Sequence, residues 1–136
     1  MIRFLLPILL LTIVFPALAL GETMDDLVER DGLHYKKFTD IPFTGEVTGE
    51  IKSSFRNGKR DGPWVTYFDT GQLKVKGTYK EGKRDGPWVS YHDNGQLFQK
   101  GSYKDGNADG PWVGYMKDGT VDDNLTGTFK NGEKVK

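Results

Sequence analysis

The chain has 136 residues, enough for one domain, and its 18 glycines and 12% aromatic residues against 36% hydrophobic residues indicate many turns and short strands. Lysine and arginine balance aspartate and glutamate at 19 each, so the chain lacks the basic excess that binds nucleic acid. It has no cysteine, and therefore no disulfide can contribute to its stability.

The first segment, MIRFLLPILLLTIVFPALAL, predicts a secretory signal peptide over residues 1–19. One charge precedes a long apolar run, and Ala17-Leu18-Ala19 has the small-x-small pattern at which signal peptidase cleaves. A retained membrane anchor is the disfavoured alternative, because Pro7 and Pro16 interrupt a run of marginal length. The absence of cysteine also excludes a bacterial lipoprotein. We therefore expect an exported protein, periplasmic or extracellular, cleaved near Ala19.

Residues 20–42 are predicted to form an N-terminal capping segment. The stretch from Val28 to Tyr35 is typical of a β-hairpin that turns at Asp31-Gly32. We expect this segment to protect the open edge of the sheet that follows.

Residues 43–136 are predicted to be a repeat domain, because one pattern recurs every 24 residues. The recurring text is RDGPWVTYFDTGQL from Arg60, RDGPWVSYHDNGQL from Arg84 and ADGPWVGYMKDGTV from Ala108. The units are a half-repeat at 43–58 and full repeats at 59–82, 83–106 and 107–132. The third full repeat is two residues longer than the others.

Each repeat is predicted to form two strands. In the second strand of the repeat at 59–82, Leu73, Val75, Gly77 and Tyr79 alternate with polar residues, mostly lysine, as in a half-buried strand. One hairpin cannot bury its own face, so the hairpins must stack on one another. The expected fold class is all-β: an elongated single-layer antiparallel sheet of stacked repeat hairpins, with eight or nine strands. Gly77 and Gly101 lie inside predicted strands, and the space left by their absent side chains is expected to receive a neighbouring Trp or Tyr ring.

No residue pattern predicts catalysis. His92 shares its repeat position with Phe68 and Met116, which favours a packing role. Ser90, beside it, is replaced by Thr or Gly in the other repeats and is expected to be a tolerant surface residue. The sequence DGNADG from Asp105 begins like a calcium-binding EF-hand loop, but its twelfth residue is Met116 instead of glutamate. We expect no catalytic residue, no metal site and no cofactor.

The recurring aromatic residues are the predicted binding residues, because exposed Trp and Tyr on strands make good contacts with partners. They are Trp64, Trp88, Trp112, Tyr67, Tyr91 and Tyr115. The competing interpretation, which the repeat pattern favours, is that they form the core of a thin sheet. The lysine-bearing face is expected to be solvated, and contact with an anionic membrane surface is a minor alternative.

The pattern Gly-x-Trp-x-x-Tyr, x-x-Gly-x-Leu and x-x-Gly-x-Tyr-x-x-Gly resembles the variant form of the MORN repeat, from about residue 43 to the C-terminus. Proteins with this pattern are often described as YwqK-type antitoxins. The resemblance implies an elongated antiparallel β-ribbon with a non-catalytic binding or scaffold role, and other MORN proteins are linked to membrane lipids and to protein assembly. The third repeat departs from the pattern, because Thr120-Val121 replaces Gln-Leu.

Two functions follow from these observations. The first is an exported, non-enzymatic binding or scaffold module for a protein or cell-envelope polymer. The alternative is an antitoxin or immunity protein that binds and neutralises a toxin. Export favours the first function and the family resemblance favours the second. Nucleic acid and small-molecule cofactors are not expected as partners.

Overall fold

A computed structural model describes residues 21–136, so the predicted signal peptide lies outside the described residues. Within this range the only helix is one 3₁₀ turn, Met24–Asp26. The strands are β1 (Leu27–Arg30), β2 (Leu33–Lys36), β3 (Gly45–Val47), β4 (Ile51–Arg56), β5 (Lys59–Tyr67), β6 (Leu73–Lys80), β7 (Lys83–Arg84), β8 (Gly86–Tyr91), β9 (Leu97–Lys104), β10 (Asn107–Ala108), β11 (Gly110–Gly114), β12 (Gly127–Lys130) and β13 (Glu133–Lys134). No helix among the described residues has the length and apolar character needed to cross a membrane.

Strands β3 to β13 form one open antiparallel sheet in which the strands follow one another in chain order. β7 and β8 follow one another along the same edge of β6, separated at Asp85, and β10 and β11 follow one another along β9, separated at Asp109. The eleven strands therefore occupy nine positions across the sheet. The predicted all-β ribbon of stacked hairpins, with eight or nine strands, is confirmed.

Two kinds of turn connect the strands, and both depend on residues with positive φ. Between hairpins, a two-residue turn has positive φ at both positions, as in Glu81 (48°) and Gly82 (84°). Such turns match the twist of the adjoining strands. The same pair of angles recurs at Asp31-Gly32, Asn57-Gly58, Asp105-Gly106 and Asn131-Gly132. Within a hairpin, Gly71 takes φ of 84° in a loop closed by a hydrogen bond from the Phe68 N–H to the Gln72 carbonyl.

The alternation of side chains gives the sheet two different faces. On the first, which we call the ring face, tryptophans and glycines alternate across the strands: Trp64 pairs with Gly77, Trp88 with Gly101, and Trp112 with Gly127. The second face, which we call the groove face, carries the residues between them. On this face lysine and valine alternate across neighbouring strands, as in the pairs Val65 with Lys76 and Lys76 with Val89.

The N-terminal hairpin packs on the ring face of the first strands. Leu27, Val47 and Phe55 form a buried cluster, and the His34 ring lies 4.9 Å from the Phe55 ring. The chain before β1 also contacts the edge strand, because the Thr48 N–H donates to the Glu22 carbonyl at 2.8 Å. The hairpin predicted around Asp31-Gly32 is present as β1 and β2. This segment therefore covers one end of the sheet with apolar side chains.

The third repeat departs from the regular pairing where its extra residues lie. After β11 only an isolated bridge joins Tyr115 to Val121, and β12 begins at Gly127. Leu125 covers Gly114, since a Cβ added at Gly114 would lie 2.4 Å from the Leu125 Cβ. The Thr126 hydroxyl accepts a hydrogen bond from the Gly114 N–H at 3.0 Å, in place of a strand partner. In the longer repeat, a side-chain hydroxyl thus replaces a neighbouring strand as the hydrogen-bond acceptor for the Gly114 N–H.

Candidate binding groove

A continuous ladder of aromatic rings runs along the ring face. The Trp88 ring lies 5.7 Å from Tyr79 and 5.4 Å from Tyr103, in edge-to-face contacts. The ladder extends to Trp64 on one side and through Trp112 to Phe129 on the other. Edge-to-face contact is a favoured geometry between rings, because a positive ring edge meets a negative ring face. The ladder therefore ties each hairpin to the next.

Each slot left by a strand glycine is filled by a tryptophan of the next hairpin. A Cβ added at Gly77 would lie 2.1 Å from the Trp88 ring, and one added at Gly101 would lie 2.1 Å from the Trp112 ring. The prediction that these glycines receive an aromatic ring is confirmed, and the ring is tryptophan. The Trp112 indole N–H also donates to the Ser102 carbonyl at 3.1 Å.

The predicted binding residues occupy both faces and differ in exposure. Trp88 and Trp112 are only 6% and 7% exposed, so they offer little surface to a partner, whereas Trp64 is half-buried. Tyr67 lies on the groove face, where the Lys52 ammonium is 5.4 Å from its ring. Tyr91 and Tyr115, at the equivalent positions, are half-buried like Tyr67. A binding role for these six residues stays a prediction.

Arginines of the ring face were missed by the sequence reasoning. The Arg84 guanidinium lies 4.8 Å from the Trp88 ring and 5.1 Å from the Tyr103 ring, and it donates to the Tyr103 hydroxyl at 3.1 Å. Burial acts against its charge, but interactions with Tyr79 and Tyr103 outweigh burial and raise the pKa of Arg84. Arg60 takes the equivalent position over Trp64. The signal in the sequence was the recurrence of arginine in front of Asp-Gly-Pro-Trp.

The groove face contains a cavity of about 730 Å³ between β6 and β11. Gly77, Trp88, Gly101 and Trp112 line it along the middle, and a row of residues lies on either side, which we call its walls. One wall consists of Lys76, Val89, Lys100 and Val113, and the other of Thr78, Pro87, Ser102 and Pro111. The walls lie on the face opposite the rings because side chains alternate along each strand. The result is a mainly apolar groove that runs across the strands.

Positive charge in the groove comes from lysines that have no acidic partner among the described residues. None of the ion pairs formed within residues 21–136 involves Lys52, Lys76 or Lys100. Lys76 and Lys100 are exposed, whereas Val89 and Val113 beside them are half-buried. The groove thus combines apolar walls with unpaired cations on one side.

The residues considered for chemistry are arranged for packing. The His92 ring contacts Phe98 at 4.9 Å and its Nε2 lies 2.7 Å from the Tyr115 carbonyl, as the packing interpretation predicts. Ser90 is 6% exposed, so its prediction as a surface residue is wrong. It lies two residues from Trp88 and therefore on the ring face, where a small side chain fits. Within residues 21–136, no group of three or more His, Asp or Glu residues is arranged to hold a metal ion.

Comparison with known families identifies the repeats. The model of the MORN repeat variant family matches residues 60–81 and 84–105. Each matched segment covers one hairpin of the sheet, β5 from its second residue with β6 in the first and β8 with β9 in the second. No curated protein matches the chain. Two of the repeats therefore match the MORN repeat variant, and such repeats are commonly non-enzymatic modules for binding or scaffolding.

Proposed function

We propose that this protein is an exported, non-enzymatic binding module that holds a protein partner of the cell envelope in the groove of its β-ribbon. The groove itself is the observation that supports the proposal: its volume is about 730 Å³, its lining is mainly apolar, and it is open to solvent on a repeat scaffold. Apolar concave surfaces with a few polar groups are the usual sites of recognition. Rigid hairpins also hold such a surface without the cost of ordering a flexible segment.

Affinity capture tests the groove. The protein with Val89→Lys and Val113→Lys is expected to lose an envelope protein that the wild type enriches, because two charges would replace the apolar wall. Val121→Lys with Val135→Lys is the matched control, since both valines are exposed outside the groove lining. The bound proteins are identified by mass spectrometry, and circular dichroism checks that each variant keeps its β structure. If the groove variant captures the same protein as the wild type, the groove is not the binding site. A toxin among the specific partners would favour the antitoxin function instead.

Export is tested separately by the mature N-terminus. We expect the protein recovered from outside the cytoplasm to begin at Leu20, because Ala17-Leu18-Ala19 supplies the small residues that signal peptidase requires. Intact mass and N-terminal sequence measure this directly. Ala19→Arg is expected to block processing, whereas the nearby Gly21→Ala change leaves small residues at the cleavage site. A full-length chain found only in the cytoplasm would contradict export.

A further inference from the structure

The groove is built from repeated subsites, one from each hairpin junction. Lys76, Thr78, Pro87 and Val89 form one subsite, and the equivalent residues of the next repeat form another. Lys52 pairs with Val65, and Val65 with Lys76, so the row of alternating lysine and valine continues towards the N-terminus. A ligand that lies along the groove therefore meets the same chemistry at a regular interval.

The interval between lysines selects the conformation of that ligand. Lys76 and Lys100 are two strands apart, or about 9.6 Å at the spacing of paired strands. Three residues of a polyproline II helix span about 9.3 Å and return the side chain to the same side. An extended β-strand repeats its facing side chains at about 6.7 Å. An α-helix presents a side chain to the same side about once per 5.4 Å turn, which also differs from the lysine interval.

We propose that the groove binds an acidic, proline-rich peptide in the polyproline II conformation, with a carboxylate at every third residue. The carboxylates would pair with Lys76 and Lys100, and the prolines would pack against Pro87, Val89, Pro111 and Val113. The inference rests on the proposed function, because it takes the groove to be the binding site.

The composition of the walls favours a peptide over an anionic sugar polymer. A polysaccharide presents many hydroxyl groups and requires a dense set of hydrogen-bonding side chains. The groove offers mainly valine and proline, with Thr78 and Ser102 as its only hydroxyl side chains. Proline rings lose little entropy on binding because the polyproline II helix is already formed in solution.

The binding test uses the protein purified after expression of the full-length sequence and a synthetic capped peptide of five Pro-Pro-Glu triplets. Isothermal titration calorimetry is expected to detect saturable binding that weakens as salt is added, since the ion pairs are exposed. A peptide of the same composition with its glutamates irregularly spaced is expected to bind up to about fivefold more weakly, because only one carboxylate at a time meets a lysine. Equal affinity for the two peptides would overturn the spacing argument.

Charge reversal at two lysines distinguishes binding in the groove from non-specific attraction between the acidic peptide and other lysines of the protein. The variant with Lys76→Glu and Lys100→Glu should lose about tenfold in affinity for the glutamate peptide and gain binding to five Pro-Pro-Lys triplets. Lys104→Glu with Lys130→Glu is the matched control, because both lysines are exposed outside the groove lining. The same loss in the control variant, or tighter binding of a sulfated polysaccharide than of the peptide, would overturn the proposal.

The outcomes also separate this inference from the proposed function. If the valine variant abolishes capture while none of these peptides binds, the groove remains the binding site and the acidic polyproline ligand is wrong. If the peptides bind but capture is unchanged by the valine variant, the ligand chemistry stands and the envelope-protein role of the groove fails.

Discussion

Replacing Gly77 with alanine is expected to destabilise the protein by about 3 kcal/mol, because overpacking of a rigid site costs this order of free energy. The added methyl would overlap the Trp88 ring, whose nearest carbon lies 2.1 Å from the new Cβ. The ring has little room to move, since Tyr79 and Tyr103 contact it on either side. Alanine is intrinsically better than glycine in a strand by only about 0.5–1 kcal/mol, so the clash decides the sign.

Urea unfolding followed by tryptophan fluorescence measures the effect. Thr78→Ala is the control, since Thr78 is the exposed neighbour on the groove face, and a change below about 0.5 kcal/mol is expected there. Combining Gly77→Ala with Trp88→Ala should cost less than the sum of the two single changes, because the ring that causes the clash is gone. Stability of Gly77→Ala equal to the wild type would show that the tryptophan is not seated on this glycine.

The stacking of hairpins could be predicted from the sequence because the same strand and turn residues recur every 24 residues. Gly77 and Gly101 recur one repeat apart, inside strands where glycine is unfavourable. Space for a neighbouring aromatic ring explains why glycine is used at both positions. The large number of glycines gave a second, independent signal of many turns, and Gly71 and Gly82 do lie in turns with positive φ. Local chemistry and repeat spacing thus agreed on one fold.

The groove could not be predicted in the same way, because it depends on which residues meet across strands. In the sequence, the lysines of β6 appear simply as the solvated side of a strand. The register places Val89 beside Lys76, and Pro87 lies two residues along the same strand, so apolar walls arise between the lysines. That register follows from the turn at Glu81-Gly82 and from the break at Asp85 between β7 and β8, which a pattern of alternating residues does not reveal.

Ser90 illustrates the same limit at a single position. Its replacement by Thr66 and Gly114 in the other repeats suggested tolerance at a surface. In the structure Ser90 lies on the ring face and is buried, and its hydroxyl has no hydrogen-bond partner among the described residues. Small residues recur there because the neighbouring tryptophans leave little space, so variation among small side chains does not indicate exposure.

Removing the Trp88 ring is expected to have the largest effect of any single change. Trp88→Ala deletes a side chain that is 6% exposed and opens a cavity above Gly77, which typically costs about 3–5 kcal/mol. This is a large share of the roughly 5–15 kcal/mol by which domains are stable, so a clearly lower urea midpoint is expected. Trp64→Ala should cost about 2 kcal/mol, because Trp64 is half-buried and pairs with Ser53 on its other side.

Denaturant unfolding of both alanine variants tests whether Trp88→Ala loses more stability than Trp64→Ala. Replacing each tryptophan with phenylalanine tests whether the ring instead binds the partner. Trp88→Phe keeps much of the ring contact and should remain folded while still capturing the envelope partner, because its surface is already covered. If Trp64→Phe folds normally but loses capture, that half-buried ring belongs to an interface on the ring face. Equal stability of Trp88→Ala and Trp64→Ala would contradict the ladder as the main source of cohesion between hairpins. The sequences around the two tryptophans are nearly the same, with Thr66 and Ser90 as the nearest difference, so the two alanine variants mainly compare the burial of each ring.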